Sequence, residues 1–183
     1  MLIARYAKIV MSLVLALFCL LVAFDNLADY GTNYLFVQHV LSMDTTFPGN
    51  ALMYRAVTTP VLWQIAYALI IAAEGATGIL FLAGAFRMFQ MRDARGVVFN
   101  ESKALFFAGA TLAFLVWFFG FMVVAGEWFD MWQSQTWNGQ EAAFRFYMAV
   151  LGVLIFVALP DPDLDAAEPP KPRRRRTDKK TAE

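Results

Sequence analysis

Four long stretches of the chain are almost free of polar residues, and the segments between them are more polar and carry Pro, Gly and Asn. A hydrocarbon layer about 30 Å thick needs about 20 mostly apolar residues in helical form. The apolar runs 9–24, 61–86, 104–125 and 146–159 approach or exceed that length, and with their flanks they predict helices over about 5–24, 60–88, 103–126 and 141–159. The first run is short, so Lys8 is expected to snorkel and let its helix begin earlier. Thr59 and Pro60 mark the start of the second helix as N-cap and first helical residue, because Pro there gives up an N–H that has no helical partner anyway. Asn138 and Glu141 have the spacing of a capping box ahead of the fourth, and Pro160 ends it. No fixed-period repeat is visible.

Composition sharpens this pattern into a class. Of 183 residues, 60% are hydrophobic and 16% charged, against about 45–50% and about 25% in soluble domains. The expected fold is an all-α membrane protein, an antiparallel bundle of four transmembrane helices occupying residues 1–160. A single Cys, Cys19, allows no intrachain disulfide, and a single His, His39, cannot supply both axial ligands of a bis-histidine haem. No cofactor is expected.

The net charge of zero conceals a sorted distribution. Arg5 and Lys8 precede the first span; Arg87, Arg92, Arg95 and Lys103 lie between the second and third; Lys171, Arg173 to Arg176, Lys179 and Lys180 follow the fourth. Only Arg55 and Arg145 fall in the other two connections. The positive-inside rule then puts both termini in the cytoplasm. A basic start before an apolar run also fits a cleaved secretory signal. Ala23, Phe24, Asp25 and Asn26 offer no small-residue cleavage site, so a retained helix is expected. Residues 161–183 are too polar and proline-rich to pack a core and read as a disordered basic tail. Its Arg173–Arg176 cluster suits anionic lipid; nucleic acid is discounted, since no folded domain surrounds the cluster.

The outer connection 25–59 is long enough to carry structure of its own. Asn33 is expected to cap a short interfacial helix through Leu41, Thr45 to Asn50 to form a turn, and Ala51 to Val57 a second short helix. His39, Asp44 and Arg55 make a candidate outer-loop site, and His39 with Asp29 and Asp44 invites a metal reading. The spacing matches no metal motif, so hydrogen bonding within the loop is the expected role. Glu127 to Trp137 holds three of the five Trp residues, which suits anchoring at the headgroup level or a docking surface.

Glu74 stands near the middle of the second span. Gln64, Tyr67, Ile71, Glu74 and Gly78 recur at three or four residues and share a helix face, with Thr77 beside Glu74. An intramembrane carboxylate is costly unless protonated or held by donors, here expected from the Tyr67, Thr111 or Tyr147 hydroxyls. The polar stripe Gln64, Tyr67, Glu74 and Thr77 is therefore a candidate functional site, either a proton relay or an interhelical hydrogen bond eased by Gly75, Gly78 and Gly84.

The run Asn33-Tyr34-Leu35-Phe36-Val37-Gln38-His39-Val40-Leu41-Ser42-Met43-Asp44-Thr45-Thr46-Phe47-Pro48, followed by Arg55-Ala56-Val57, Pro60 and Glu74, resembles the bacterial family of predicted small integral membrane proteins, catalogued as a domain of unknown function. The resemblance covers roughly residues 5–160 and implies a multi-pass protein of the bacterial inner membrane. It implies no activity. With no nucleophile–base pair, phosphate loop or metal spacing in the sequence, the expected role is a non-enzymatic accessory or interaction protein. Its partners would be the lipid bilayer and a membrane protein or a second copy of the chain. The alternative is a small proton-linked or solute-conducting transporter that uses Glu74.

Overall fold

A computed structural model describes residues 2–164, and every regular element among them is helical. Helix α1 runs Leu2–Ala28, α2 Tyr30–Ser42, α3 Pro60–Gln90, α4 Gly96–Glu101, α5 Ala104–Phe114 and α6 Gln140–Ala158. The helix begun by α5 continues through Leu115–Trp128 with wider turns of the π type; at its end the Phe129 N–H reaches back five residues to the Val124 carbonyl at 3.1 Å. Four helices are long and apolar enough to cross a membrane: Leu2–Ala28, Pro60–Gln90, Gly96–Trp128 and Gln140–Ala158.

The expected helices are present, with corrections at their ends. Pro60 opens α3, but the Thr59 side chain makes no capping bond. Asn138 Oδ1 accepts from the Gln140 N–H, while Glu141 pairs with Arg145 on the next turn, so the capping box does not close. Helix α2 starts at Tyr30 with Asp29 as its N-cap residue, ahead of Asn33. The second loop helix shrinks to the single turn Met53–Arg55.

Helix α3 is central, packing mainly on α1 and α5, while α6 lies on the π segment, α5 and α1. Two of its three candidate small residues make close packing possible. A Cβ at Gly78 would lie 2.7 Å from Leu20 Cγ, and one at Gly84 2.7 Å from the Phe106 backbone nitrogen. Gly75 has only ordinary contact with Ala23. Cys19, Phe81, Phe106, Ala110, Val150 and Val157 fill the space between the helices.

Lys8 corrects the snorkelling expectation. It is 2% exposed, and its Nζ donates to the Leu159 carbonyl at 2.6 Å and to Asp161 Oδ2 at 2.5 Å. Lys103 Nζ donates to that same oxygen at 2.7 Å, to Leu159 O at 2.9 Å and to Asn100 Oδ1 at 2.7 Å. Arg5, also buried, binds the carbonyls of Arg92, Ala94 and Pro162 and lies over the Phe99 ring. Helix ends leave carbonyls without partners, and here buried cations take them up. Burial raises the Asp161 carboxyl, but hydrogen bonds from Lys103 and Lys8 outweigh it and hold the group below the usual carboxylate range.

Residues 161–163 are thus part of the folded body and not the start of a free tail. Asp163 Oδ1 accepts the Gly96 N–H at 2.6 Å, and Asn100 exchanges two hydrogen bonds with the Asp161 backbone, each at 3.0 Å. A Cβ at Gly96 would collide with the Asp161 carbonyl oxygen, so this connection needs glycine. The expected Arg173–Arg176 lipid contact lies outside the described residues.

Candidate functional site

Asn26 closes the polar end of α1. Its Nδ2 donates to Glu74 Oε2 at 2.7 Å, and its backbone carbonyl accepts from the Tyr67 hydroxyl, also at 2.7 Å. That carbonyl belongs to the last turn of α1, where helical partners run out. Tyr67 and Glu74 are 1% and 2% exposed, so both are held where an unpaired polar group would be costly, and half-buried Asn26 meets both of them.

This network replaces the one expected from the sequence. Tyr67 serves Asn26 and not Glu74. The Thr77 hydroxyl turns back onto the Ala73 carbonyl at 2.7 Å, and Thr111 likewise onto Phe107. Gln64 is exposed. Of the stripe Gln64, Tyr67, Glu74 and Thr77, only Tyr67 and Glu74 enter the site, and Asn26 joins them. Asn26 is the functional candidate that sequence reading missed, having been placed in the outer loop. Its one signal was Ser12, Ala16, Cys19 and Ala23, a narrow face at spacings of three and four that Asn26 extends.

Glu74 and Asn26 border a cavity of about 230 Å³ to which α1, α2, α3, the π segment and α6 all contribute. Asn33 adds a second amide, Ala142 is an exposed wall residue, and the remaining walls are mainly aliphatic and aromatic. Trp117 and Phe146 line it and pack with Phe18 as an aromatic group, with centroid separations of 4.9 to 6.0 Å. Toward Lys8 and Asp161 follow the buried core residues Cys19, Phe81, Phe106 and Ala110. The arrangement offers a hydrogen-bond-accepting carboxylate and two amides in an otherwise apolar chamber. It suits a ligand group that donates hydrogen bonds, and among the described residues no Lys, Arg or His lines it.

Helix α2 covers one side of this chamber and is fixed by the connections 43–59 and 129–139. Val40 and Met43 pack with Phe129 and Met131. Thr45 binds Ser134, Gln133 accepts from the Phe47 N–H, and Asn50 donates to Asp130, each at 2.9 Å. His39 Nδ1–H donates to Asp44 at 2.8 Å while its ring stacks on Trp137 at 4.6 Å. Arg55 stands apart from this pair: it reaches the Trp128 carbonyl at 3.3 Å with its guanidinium over the Trp128 ring. Thus His39 and Asp44 come together but Arg55 does not join them, and Asp29 serves α2 as its N-cap residue. Among the described residues, no three His, Cys, Asp or Glu side chains are grouped to hold a metal ion. Trp128 and Trp132 are about half exposed, as interfacial indoles would be, whereas Trp137 is committed to His39.

Neither the curated proteins nor the solved structures compared with the chain contain a match. The model of one protein family, described as "predicted small integral membrane protein", matches residues 4–160, which take in the spanning helices, apart from Leu2 and Ile3 of the first, and the whole chamber. By that match, and by its four apolar helices, the chain belongs to the family of predicted small integral membrane proteins.

Proposed function

We propose that this chain is a non-enzymatic accessory protein of the bacterial inner membrane that binds another membrane component through the Glu74 chamber. Its helices are read as an antiparallel four-helix bundle with both termini cytoplasmic. Arg5, Lys8, Arg92, Arg95 and Lys103 gather at the end where α1 begins and α6 finishes, in keeping with the positive-inside rule. The chamber then lies in the outer half of the membrane. The observation that carries the reading is the Glu74–Asn26 pair bordering a cavity that is backed by packed core on the cytoplasmic side. Preformed apolar pockets with a few convergent polar groups are the usual form of a binding site.

The test is gentle-detergent purification of the chromosomally tagged protein, with mass spectrometry of what accompanies it. A component retained by the wild type and lost when Ala143→Phe fills the chamber is the expected result. An identical set of accompanying components in both would contradict the proposal.

A proton-linked transporter is the second reading, favoured by an ionisable residue at membrane depth. The packed residues between the chamber and Asp161 weigh against a path through one chain. Solute-dependent proton flux in proteoliposomes that vanishes in Glu74→Gln would replace the accessory role with transport.

A further inference from the structure

Beside the polar chamber lies a larger apolar crevice of about 420 Å³, between α3 and the π segment and beneath α2. Phe36, Val37, Ile70 and Phe121 line both spaces, so the two meet at one wall. Leu69, Leu115 and Phe119 on the crevice are 53% to 65% exposed, which turns it toward the flank where bilayer hydrocarbon lies. Together the two volumes fall within the range of about 300–1,000 Å³ usual for small-molecule sites.

We propose that chamber and crevice form one site for a membrane-borne amphiphile, with its hydrogen-bond-donating head at Glu74 and its hydrocarbon chain in the crevice. This rests on reading the chamber as a binding site, and it names the class of molecule. Charge decides the head. The chamber presents the Glu74 carboxylate and the amides of Asn26 and Asn33, and among the described residues no Lys, Arg or His lines either space, so an anionic head finds no counter-charge there while an amine or hydroxyl finds an acceptor. Surroundings decide the chain. A helix surface in the bilayer meets hydrocarbon, and a crevice walled by Leu, Val, Phe and Ala gives a hydrocarbon chain close dispersion contacts on several sides.

The experiment uses the full-length protein in phosphatidylcholine nanodiscs, titrated with dodecylamine, dodecan-1-ol, dodecanoate and butylamine. Binding is followed by native mass and by Trp fluorescence, since Trp117 lines the chamber. Dodecylamine is expected to bind one per chain, about tenfold more weakly in Glu74→Gln, and butylamine more weakly than dodecylamine by at least about 100-fold, since each of the eight missing CH2 groups is worth up to about 0.8 kcal/mol. Dodecan-1-ol binding that matches dodecylamine would assign a neutral donor head, and weaker binding an amine; both support the site. Ala66→Trp, which intrudes on the crevice, should weaken dodecylamine and leave butylamine unchanged. Dodecanoate binding as well as dodecylamine, or unaltered dodecylamine binding in Glu74→Gln, would overturn the head assignment. Equal binding of butylamine and dodecylamine would overturn the chain assignment and leave the chamber's role standing. That role fails on a separate result, unchanged copurification in Ala143→Phe.

Discussion

Asn26 and Glu74 are joined at 2.7 Å between the last turns of α1 and the middle of α3, with the Asn26 side-chain amide donating to a carboxylate that is 2% exposed. The bond occupies Oε2 of Glu74, a residue that also lines the chamber. Removing the donor alone strands a buried acceptor, which costs about 1–3 kcal/mol. Asn26→Leu should therefore lower the thermal midpoint in detergent. Asn26→Leu combined with Glu74→Leu should lower it by less than the sum of the two single changes. Additive losses would show that the two side chains do not act as a pair.

At the opposite end, Asp161 is, among the described residues, the one carboxylate paired with Lys8 and Lys103. Asp161→Asn leaves two buried ammonium groups without a counter-charge, a loss on the order of 3–5 kcal/mol. Lys8→Met leaves the Lys103–Asp161 pair intact and should cost less. Denaturant midpoints of the two variants check the order. A larger loss in Lys8→Met would contradict the geometry.

The same carboxylate sets a pH dependence. Lysine hydrogen bonds overcome the effect of burial and hold Asp161 below its ordinary range. A depressed carboxylate contributes stability that is complete above its unfolded value of about 3.9 and is lost as pH falls through the lower folded value. The stability difference between wild type and Asp161→Asn should therefore be constant near neutrality and shrink only at strongly acid pH. A difference that already shrinks between pH 7 and 5 would show that another group governs it.

Gly84 carries a steric test. A methyl there would stand 2.7 Å from the Phe106 backbone nitrogen, which cannot yield without parting α3 from α5. Gly84→Ala should destabilise by about 1–3 kcal/mol, as overpacking generally does. Gly152, with nothing within 4 Å of the added carbon, provides the control. Its change to Ala should be neutral or slightly stabilising in a helix, as read by thermal unfolding.

The spanning helices were legible because their signal is additive: some twenty apolar residues in a row outweigh any local ambiguity. Pro60 marked the start of α3 for the same kind of local reason. What escaped depends on pairs far apart in sequence. Asp161 stands in a polar, proline-rich stretch, and nothing near it announces that Lys8 will arrive from the other end of the chain. Asn26 follows the end of an apolar run, which resembles the start of a loop, yet α1 continues to Ala28 and brings the amide to Glu74. Helical spacing puts Gln64 on one face with Glu74, but spacing does not say where along that face the neighbours end. The residues of Leu115–Trp128 give no sign of their wider winding, and we have no physical account of it.

The most direct test of an outer-half chamber backed by packed core is thiol accessibility. In a Cys19→Ala background, Ala142→Cys places a thiol on an exposed wall of the chamber, and Ala113→Cys places one in the fully buried core. With a membrane-impermeant maleimide, Ala142→Cys should be labelled in spheroplasts and not in inverted vesicles, and Ala113→Cys in neither. Labelling of Ala142→Cys from the cytoplasmic side, or of Ala113→Cys from either side, would contradict a binding chamber closed toward the cytoplasm.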